Sequence, residues 1–158
     1  MENEEFDLCL LEAKDHLKHV NNSIKETRSK TYYLLGIMIG IISFLIVDIF
    51  SFNLYTVKSQ MFIISLPFLN SFIWINRQTF NPTGLRFEGM TPNSFKEILD
   101  GNLKENILNT YQTSIDNNVQ ILQNFSKSYK LAFNIFVLWL FCLCVFCIYM
   151  FITKGFIC

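Results

Sequence analysis

Three apolar stretches dominate the pattern of hydrophobic and polar positions along this chain. Residues 31–50 contain one charged residue, Asp48, and residues 131–153 contain none. A helix needs about 20 apolar residues to cross the hydrocarbon core of a bilayer, and both stretches meet that length. Neither shows polar residues at every third or fourth position, as the outer face of a soluble helix would. We therefore predict membrane-spanning helices at 31–53 and 131–153.

The apolar stretch between them, residues 59–75, is also uncharged but includes Pro67 and Asn70. It fits a full span over 54–76, with the Lys58 ammonium group reaching back to the lipid headgroups. It also fits a re-entrant or interfacial segment. We favour the full span, which places Trp74 at its end, where aromatic residues concentrate in membrane proteins.

The basic residues predict an orientation. Positive charge is more frequent on the cytoplasmic side of a span. It collects before the first stretch and at both ends of segment 77–130, whereas Lys58 and Lys154 stand alone in the other two connections. We predict a cytoplasmic N-terminus, a cytoplasmic segment 77–130 and an external tail 154–158. A re-entrant second stretch would instead place 77–130 outside.

Two polar segments carry apolar residues at alternating steps of three and four, the seam of a coiled coil. In residues 1–30 the seam consists of Phe6, Leu10, Ala13, Leu17, Val20 and Ile24. In the second segment it consists of Leu108, Tyr111, Ile115, Asn118, Leu122, Phe125 and Tyr129. Seams this narrow do not hold a helix alone in water. We predict parallel helices that bury them against each other or against another copy.

Segment 77–130 begins with turn-forming residues, so we expect irregular chain over 76–90. Thr91, Pro92 and Gly101 then have the positions of a cap, a first residue and a stop for a short helix. No proline or glycine interrupts the sequence from Leu103 to Thr153. The predicted fold is therefore an all-α integral membrane protein with three transmembrane helices, a cytoplasmic N-terminal helix and one long helix continuous with the third span.

Small and polar residues mark candidate sites of helix packing. Gly36 and Gly40, with Ser43 nearby, form a small-xxx-small pattern that lets two helices approach closely in lipid, within one chain or between chains. Asn118 interrupts its seam and has two interpretations. It is either a buried residue that fixes register and oligomer state or a surface asparagine at a frayed seam.

Three polar residues fall inside the apolar stretches. Asp48 is a candidate functional site because ionisable groups are expensive within a membrane. Its position near the external boundary favours an interfacial carboxylate over one that faces a pore. Asn70 and Asn134 are predicted to form hydrogen bonds between helices rather than to select ions.

Composition excludes several classes of protein. The net charge is zero, so no overall field favours nucleic acid. Cys142, Cys144 and Cys147 lie within the third span, where cysteine serves as a small apolar residue. His16 and His19 lie one turn apart, but two exposed histidines on a solvated helix do not make a metal site. We find no motif for nucleophilic or phosphate chemistry and predict no enzyme activity, no cofactor and no metal.

The layout resembles a known group of proteins. A cytoplasmic N-terminal helix and a transmembrane hairpin precede a segment that begins TPNSFKEILDGNLKEN and leads through a long helix into a last span. This arrangement is similar to the small multi-span effectors of prokaryotic antiphage defence operons, such as cyclic-oligonucleotide signalling systems and retrons. The resemblance covers most of the chain. It implies oligomerisation and permeabilisation of the inner membrane when a sensor detects infection, without catalytic residues.

Two functions of different class follow. The first is a homo-oligomeric effector that perturbs the membrane when a cytoplasmic sensor protein, or further copies of the chain, act on its cytoplasmic helices. The second is a non-conducting anchor or scaffold that recruits a soluble partner. Both have membrane lipid as a partner, and neither involves nucleic acid.

Overall fold

In the computed structural model of this chain, the described residues form three helices. The structure describes residues 2–46, 56–85 and 103–154. The helices are α1, Glu2–Ile46, α2, Val57–Phe80, and α3, Leu103–Lys154. No strand occurs in these described ranges, which confirms the prediction of an all-α fold for them. The predicted short helix at 91–101 and Asp48 lie outside the described residues.

Two of these helices are long and apolar enough to cross a membrane. They are the parts of α1 and α3 at Glu5–Ile46 and Glu105–Thr153, whose most apolar windows have mean hydropathies of 1.6 and 2.9. Only 22% of each window is buried within the chain. The core helix of a soluble protein would bury most of such a window, so this exposure favours a lipid environment.

Helix α2 differs in extent from the predicted span 54–76. Its start is capped by Thr56, whose Oγ1 accepts a hydrogen bond from the Ser59 amide at 3.2 Å, as a residue at the N-cap position does. Its end lies at Phe80, so residues 77–80 are helical and the prediction of irregular chain there is wrong. Packing against α1 stabilises this last turn, where the Tyr32 and Phe80 rings lie 5.3 Å apart. Pro82 then disfavours helical geometry at the residue before it.

The chain divides into two compact units. Unit 1 comprises Met1–Arg28 with Asn81–Ser126, and unit 2 comprises Ser29–Phe80 with Lys127–Cys158. The described part of unit 1 has a small core of Val20, Ile24 and Phe125. Unit 2 has the larger core, which consists of Leu34, Met38, Ile42, Phe72, Ala132, Phe136, Trp139 and Leu143.

Within unit 2, α2 runs antiparallel to both of its neighbours. Against α1, the Tyr32–Phe80 ring pair lies at one end and the Lys58 ammonium group stands 5.0 Å from the centre of the Phe44 ring at the other. Against α3, Trp139 Nε1 donates a hydrogen bond of 2.9 Å to Ser65 Oγ, and both residues are fully buried. Further along α3, Cys147 Sγ lies 3.9 Å from Met61 Sδ, which precedes Ser65 on α2, so α2 and α3 run in opposite directions. The parts of α1 and α3 in this unit therefore run in the same direction.

The Trp139–Ser65 bond is predicted to contribute measurably to the stability of unit 2. Ser65→Ala leaves the indole N–H buried without its acceptor, which costs about 1–3 kcal/mol. We expect a lower midpoint for loss of helical circular dichroism when the detergent-solubilised protein is heated. Ser71→Ala is the matched control, because Ser71 is an exposed serine on the same helix. Equal midpoints for the two variants would contradict the prediction.

Candidate helix-packing site

A hydrogen bond between two asparagines joins α1 and α3 in unit 1. Asn118 Nδ2 donates to Asn21 Oδ1 at 2.7 Å, and the two residues are 0% and 6% exposed. The interpretation of Asn118 as a solvated surface residue is therefore wrong for this structure. A buried bond between two amides favours a single alignment of two helices, since any shift along the axis breaks it.

The two helices run parallel in unit 1. Residues further along α1 contact residues further along α3. Those from Cys9 to His16 face those from Leu108 to Ile115, while Val20 and Ile24 share a core with Phe125. This is the arrangement that the two seams predict.

The seams close only in part. Leu17, Val20 and Ile24 are buried, as are Ile115 and Phe125. Earlier positions are half-buried, including Leu10 on α1, and Leu122 on α3 is half-buried too. The open part forms a groove of about 410 Å³ lined by Cys9, Glu12, Ala13, His16, Leu108, Asn109, Gln112 and Ile115. Leu8 and Leu11 are more than half exposed beside it, at 58% and 57%.

The neighbouring residue, Asn117, fixes the chain that follows α2. Its Nδ2 donates to the Gly84 carbonyl at 2.7 Å. The backbone of Gly84 has a positive φ, a conformation that side chains rarely permit. Leu85 then packs against the core of Val20, Ile24 and Phe125. Two adjacent amides on one turn of α3 thus fix two different segments of unit 1.

The small residues of α1 lie away from the core of unit 2. Gly36, Gly40 and Ser43 are all exposed, whereas Leu34, Met38 and Ile42 form the buried face of this helix. A Cβ atom built on either glycine would meet nothing within 4 Å. The described chain therefore does not use this small-xxx-small face for its own packing, and the predicted close contact remains a prediction about contacts between chains.

The two asparagines of the apolar stretches also face outward. Asn70 on α2 and Asn134 on α3 are exposed, and neither forms a hydrogen bond to any described residue. Their predicted role in hydrogen bonding between helices is therefore not fulfilled within the described chain, and it too remains a prediction for contacts between copies.

Polar residues that the sequence reasoning missed lie on the inner face of α2. Ser59, Ser65, Asn76 and Thr79 are at most 1% exposed. Asn76 Nδ2 donates to the Phe72 carbonyl at 3.0 Å, while its Oδ1 is buried without a partner among the described residues. The separations of eleven and three residues return Ser65, Asn76 and Thr79 to similar directions on a helix, whereas Ser59 lies about 120° away from Ser65. The spacing of those three is the signal that would have found them.

The remaining candidate chemistry stays dispersed. In the described ranges, no three side chains of His, Cys, Asp or Glu converge as a metal site. Cys9, Cys144 and Cys147 are exposed, and Cys147 Sγ lies 3.9 Å from Met61 Sδ. His16 lines the groove of unit 1, and His19 is exposed.

The chain matches no protein-family model, no curated protein and no solved structure. The packing of the helices and the faces that they leave exposed are therefore the basis on which a function is proposed.

The Asn21–Asn118 pair is predicted to contribute to stability as a unit. Asn118→Leu deprives the buried Asn21 amide of this donor, at a cost of about 1–3 kcal/mol. The double variant Asn21→Leu/Asn118→Leu replaces both amides with apolar groups and is expected to lose less than Asn118→Leu alone. Trypsin cleavage at the lysines of α1, followed over time, reports local opening of unit 1.

Asn124→Leu is the matched control, since Asn124 is an exposed asparagine of α3 in the same unit and its replacement leaves the Asn21–Asn118 bond in place. Faster cleavage in the double variant than in Asn118→Leu would contradict the predicted coupling.

Proposed function

We propose that this protein is a homo-oligomeric effector of the bacterial inner membrane that perturbs or permeabilises the bilayer when it is triggered through its cytoplasmic helices. The observation that carries the proposal is the outward position of Gly36, Gly40 and Ser43 on α1. A role in antiphage defence is implied by the resemblance in layout described above.

The helix directions within unit 2 support three spans. There α1 and α3 run the same way, with α2 antiparallel to both. If the apolar parts of α1 and α3 cross a bilayer in one direction, the chain between them must cross back. Helix α2 contains 24 residues. With a rise of about 1.5 Å per residue it is about 36 Å long, which is sufficient for a hydrocarbon core of about 30 Å.

The modest hydropathy of α2 is compatible with this role. Ser59, Ser65, Asn76 and Thr79 lower its mean hydropathy, yet all four are buried within unit 2 rather than exposed to lipid. The outward residues include Ile63, Leu66 and Ile73, which are 44–53% exposed. A helix whose polar groups face its neighbours is accepted in a membrane, because those groups do not meet hydrocarbon.

The exposed glycine face supports association between copies. Van der Waals packing between helices replaces the hydrophobic drive that is absent in lipid, and glycines allow the closest approach. Since unit 2 packs through Leu34, Met38 and Ile42, this face is available to a second chain. Repetition of such a contact builds an oligomer. Several membrane-spanning helices arranged in this way enclose an aqueous path through which the bilayer leaks.

The trigger is proposed to act on unit 1. Its helix seams close only near Asn21 and Asn118 and leave an open groove toward the N-terminus. Leu8 and Leu11 are exposed beside this groove, which suits a helix from a sensor protein or from another copy. Both α1 and α3 contribute residues to unit 1 and to unit 2, so a change in their packing acts on helices that continue into the apolar region.

Substitution of the glycines tests the proposal. Gly36→Ile/Gly40→Ile places branched side chains where a neighbouring helix would approach. We expect smaller oligomers in nanodiscs and at least a tenfold loss of dye release from liposomes. Because no atom lies within 4 Å of the added Cβ positions, the fold of the single chain should be unchanged.

Gly36→Ala/Gly40→Ala is the matched control and is expected to retain most of the leakage. A protein that is monomeric or dimeric, with tight liposomes in all three forms, would favour the non-conducting anchor. Unchanged leakage in the isoleucine variant would remove the glycine face from the mechanism.

The orientation has a separate test. Single-cysteine proteins are prepared with Cys9, Cys158 or Asn109→Cys, and every other cysteine replaced by serine. Three spans predict that a membrane-impermeant maleimide applied to intact spheroplasts labels position 158 only. Labelling at position 109 but not at 158 would instead indicate a second stretch that does not cross.

A further inference from the structure

Asn70 and Asn134 form a pair of outward-facing amides within the apolar region. Asn70 lies thirteen residues after Val57 and ten before Phe80, near the middle of α2. Asn134 lies in the uncharged stretch of α3, next to the exposed Phe133. Among the described residues neither amide has a hydrogen-bond partner. Two side chains that donate and accept are thus presented to the surroundings of unit 2.

The two amides lie at the same level. The bond between Ser65 Oγ and Trp139 Nε1 aligns the antiparallel helices α2 and α3. Asn70 follows Ser65 by five residues, and Asn134 precedes Trp139 by five. Because the helices run in opposite directions, both displacements point the same way and amount to about 7.5 Å along the axes.

Both amides point away from the core on their own helices. Ala132 and Phe136 are buried, and each is two residues from Asn134. A separation of two residues corresponds to about 200° around a helix, so Asn134 faces away from both. Asn70 is two residues from Phe72, which is fully buried, and has the same angular relation to it. The two amides form no hydrogen bond to each other within the described chain.

A lipid surrounding suits these groups poorly. An amide that faces hydrocarbon loses its hydrogen bonds to water and receives none in return. Long basic side chains near helix ends reach the headgroups, and Arg77 in the last turn of α2 is placed to do so. The asparagine side chain is too short for that, since Asn70 is about 15 Å from Phe80 along the helix. A protein partner that forms hydrogen bonds at the same depth removes this free-energy cost of burying an unbonded amide. Another copy of this chain supplies such a partner, because it carries the same two amides at the same depth.

We propose that Asn70 of one copy forms hydrogen bonds with Asn134 of the next copy, so that α2 of each chain packs against α3 of its neighbour. The inference rests on the proposed membrane-spanning homo-oligomer and adds a second contact to the one through the glycine face of α1. Because the two amides occupy different helices, the interface is head-to-tail, and repetition of a head-to-tail contact closes a ring when the rotation permits. Each amide both donates and accepts, so one pair can form two hydrogen bonds.

The test measures association of the full chain, labelled with a fluorophore and reconstituted in liposomes at low density, by single-molecule photobleaching. Asn70→Leu and Asn134→Leu are each expected to weaken association by about tenfold or more. Leucine faces lipid without cost, so neither variant should lose helical content. Cys144→Leu is the matched control, because it changes an exposed residue of α3 ten residues from Asn134 and should associate like the wild type.

Mixing the two variants tests the head-to-tail pairing. Neither variant alone contains a complete contact, but Asn134 of the Asn70→Leu chain can still meet Asn70 of the Asn134→Leu chain. Two-colour association that is stronger in the mixture than in either variant alone would support the proposal. Association of either variant alone at the wild-type level would overturn it.

Dye release from the same liposomes separates this inference from the proposed function. Wild-type oligomers that depend on Asn70 and Asn134 but do not leak would leave the contact standing and remove permeabilisation. Leaky oligomers that form equally well without the two amides would remove the contact and leave the proposed function. A wild-type chain that is monomeric and does not leak would overturn both.

Discussion

The hydrogen bond between Asn21 and Asn118 is the constraint on which the arrangement of unit 1 depends. The apolar seams of α1 and α3 alone would tolerate shifts of one heptad, because leucine, isoleucine and valine recur along both. The two amides do not permit such a shift, because both residues are buried and a shift would break the hydrogen bond between them. They align the helices in parallel, and the adjacent Asn117 holds the chain around Gly84 against the same turn of α3.

In unit 2, polar contacts determine which faces of the helices meet, whereas in unit 1 they determine the register of two helices. Its helices are apolar almost all round, so hydrophobicity does not distinguish one face from another. Specific polar contacts make the distinction instead, with Trp139 bound to Ser65 and Asn76 bound to its own helix. The buried polar residues of α2 also account for the fact that, by composition alone, only α1 and α3 are apolar enough to be candidate spans. Its outer face is apolar and its inner face is mixed.

The parts of the structure that could be predicted from sequence are those set by local pattern. Helix α3 follows from an uninterrupted run without proline or glycine, and the apolar seams of unit 1 follow from steps of three and four. Their parallel direction was predicted because both helices are expected to enter the membrane from the same side. The sequence left two interpretations of Asn118, and burial was one of them. Its partner Asn21 was not identified, because Val20 already occupies the apolar seam position at that turn of α1. The exposure of Gly36, Asn70 and Asn134 could not be predicted either. In a uniformly apolar helix, the face that becomes buried depends on the neighbouring helices, and the sequence pattern does not identify those.

The bonding of the Ser65 hydroxyl has a consequence for the order of synthesis. Its hydrogen is donated to the Met61 carbonyl of the same helix, at 2.7 Å, while its oxygen accepts from Trp139. A ribosome completes α2 long before it reaches residue 139. During that interval the Ser65 hydroxyl hydrogen is already bonded to its own helix backbone. If α2 crosses the membrane as proposed, a nascent α1–α2 hairpin therefore enters the bilayer without an open donor at this position. The Trp139 indole can form its bond to the Ser65 oxygen only later, so insertion of the hairpin and formation of the α2–α3 contact are separated in time.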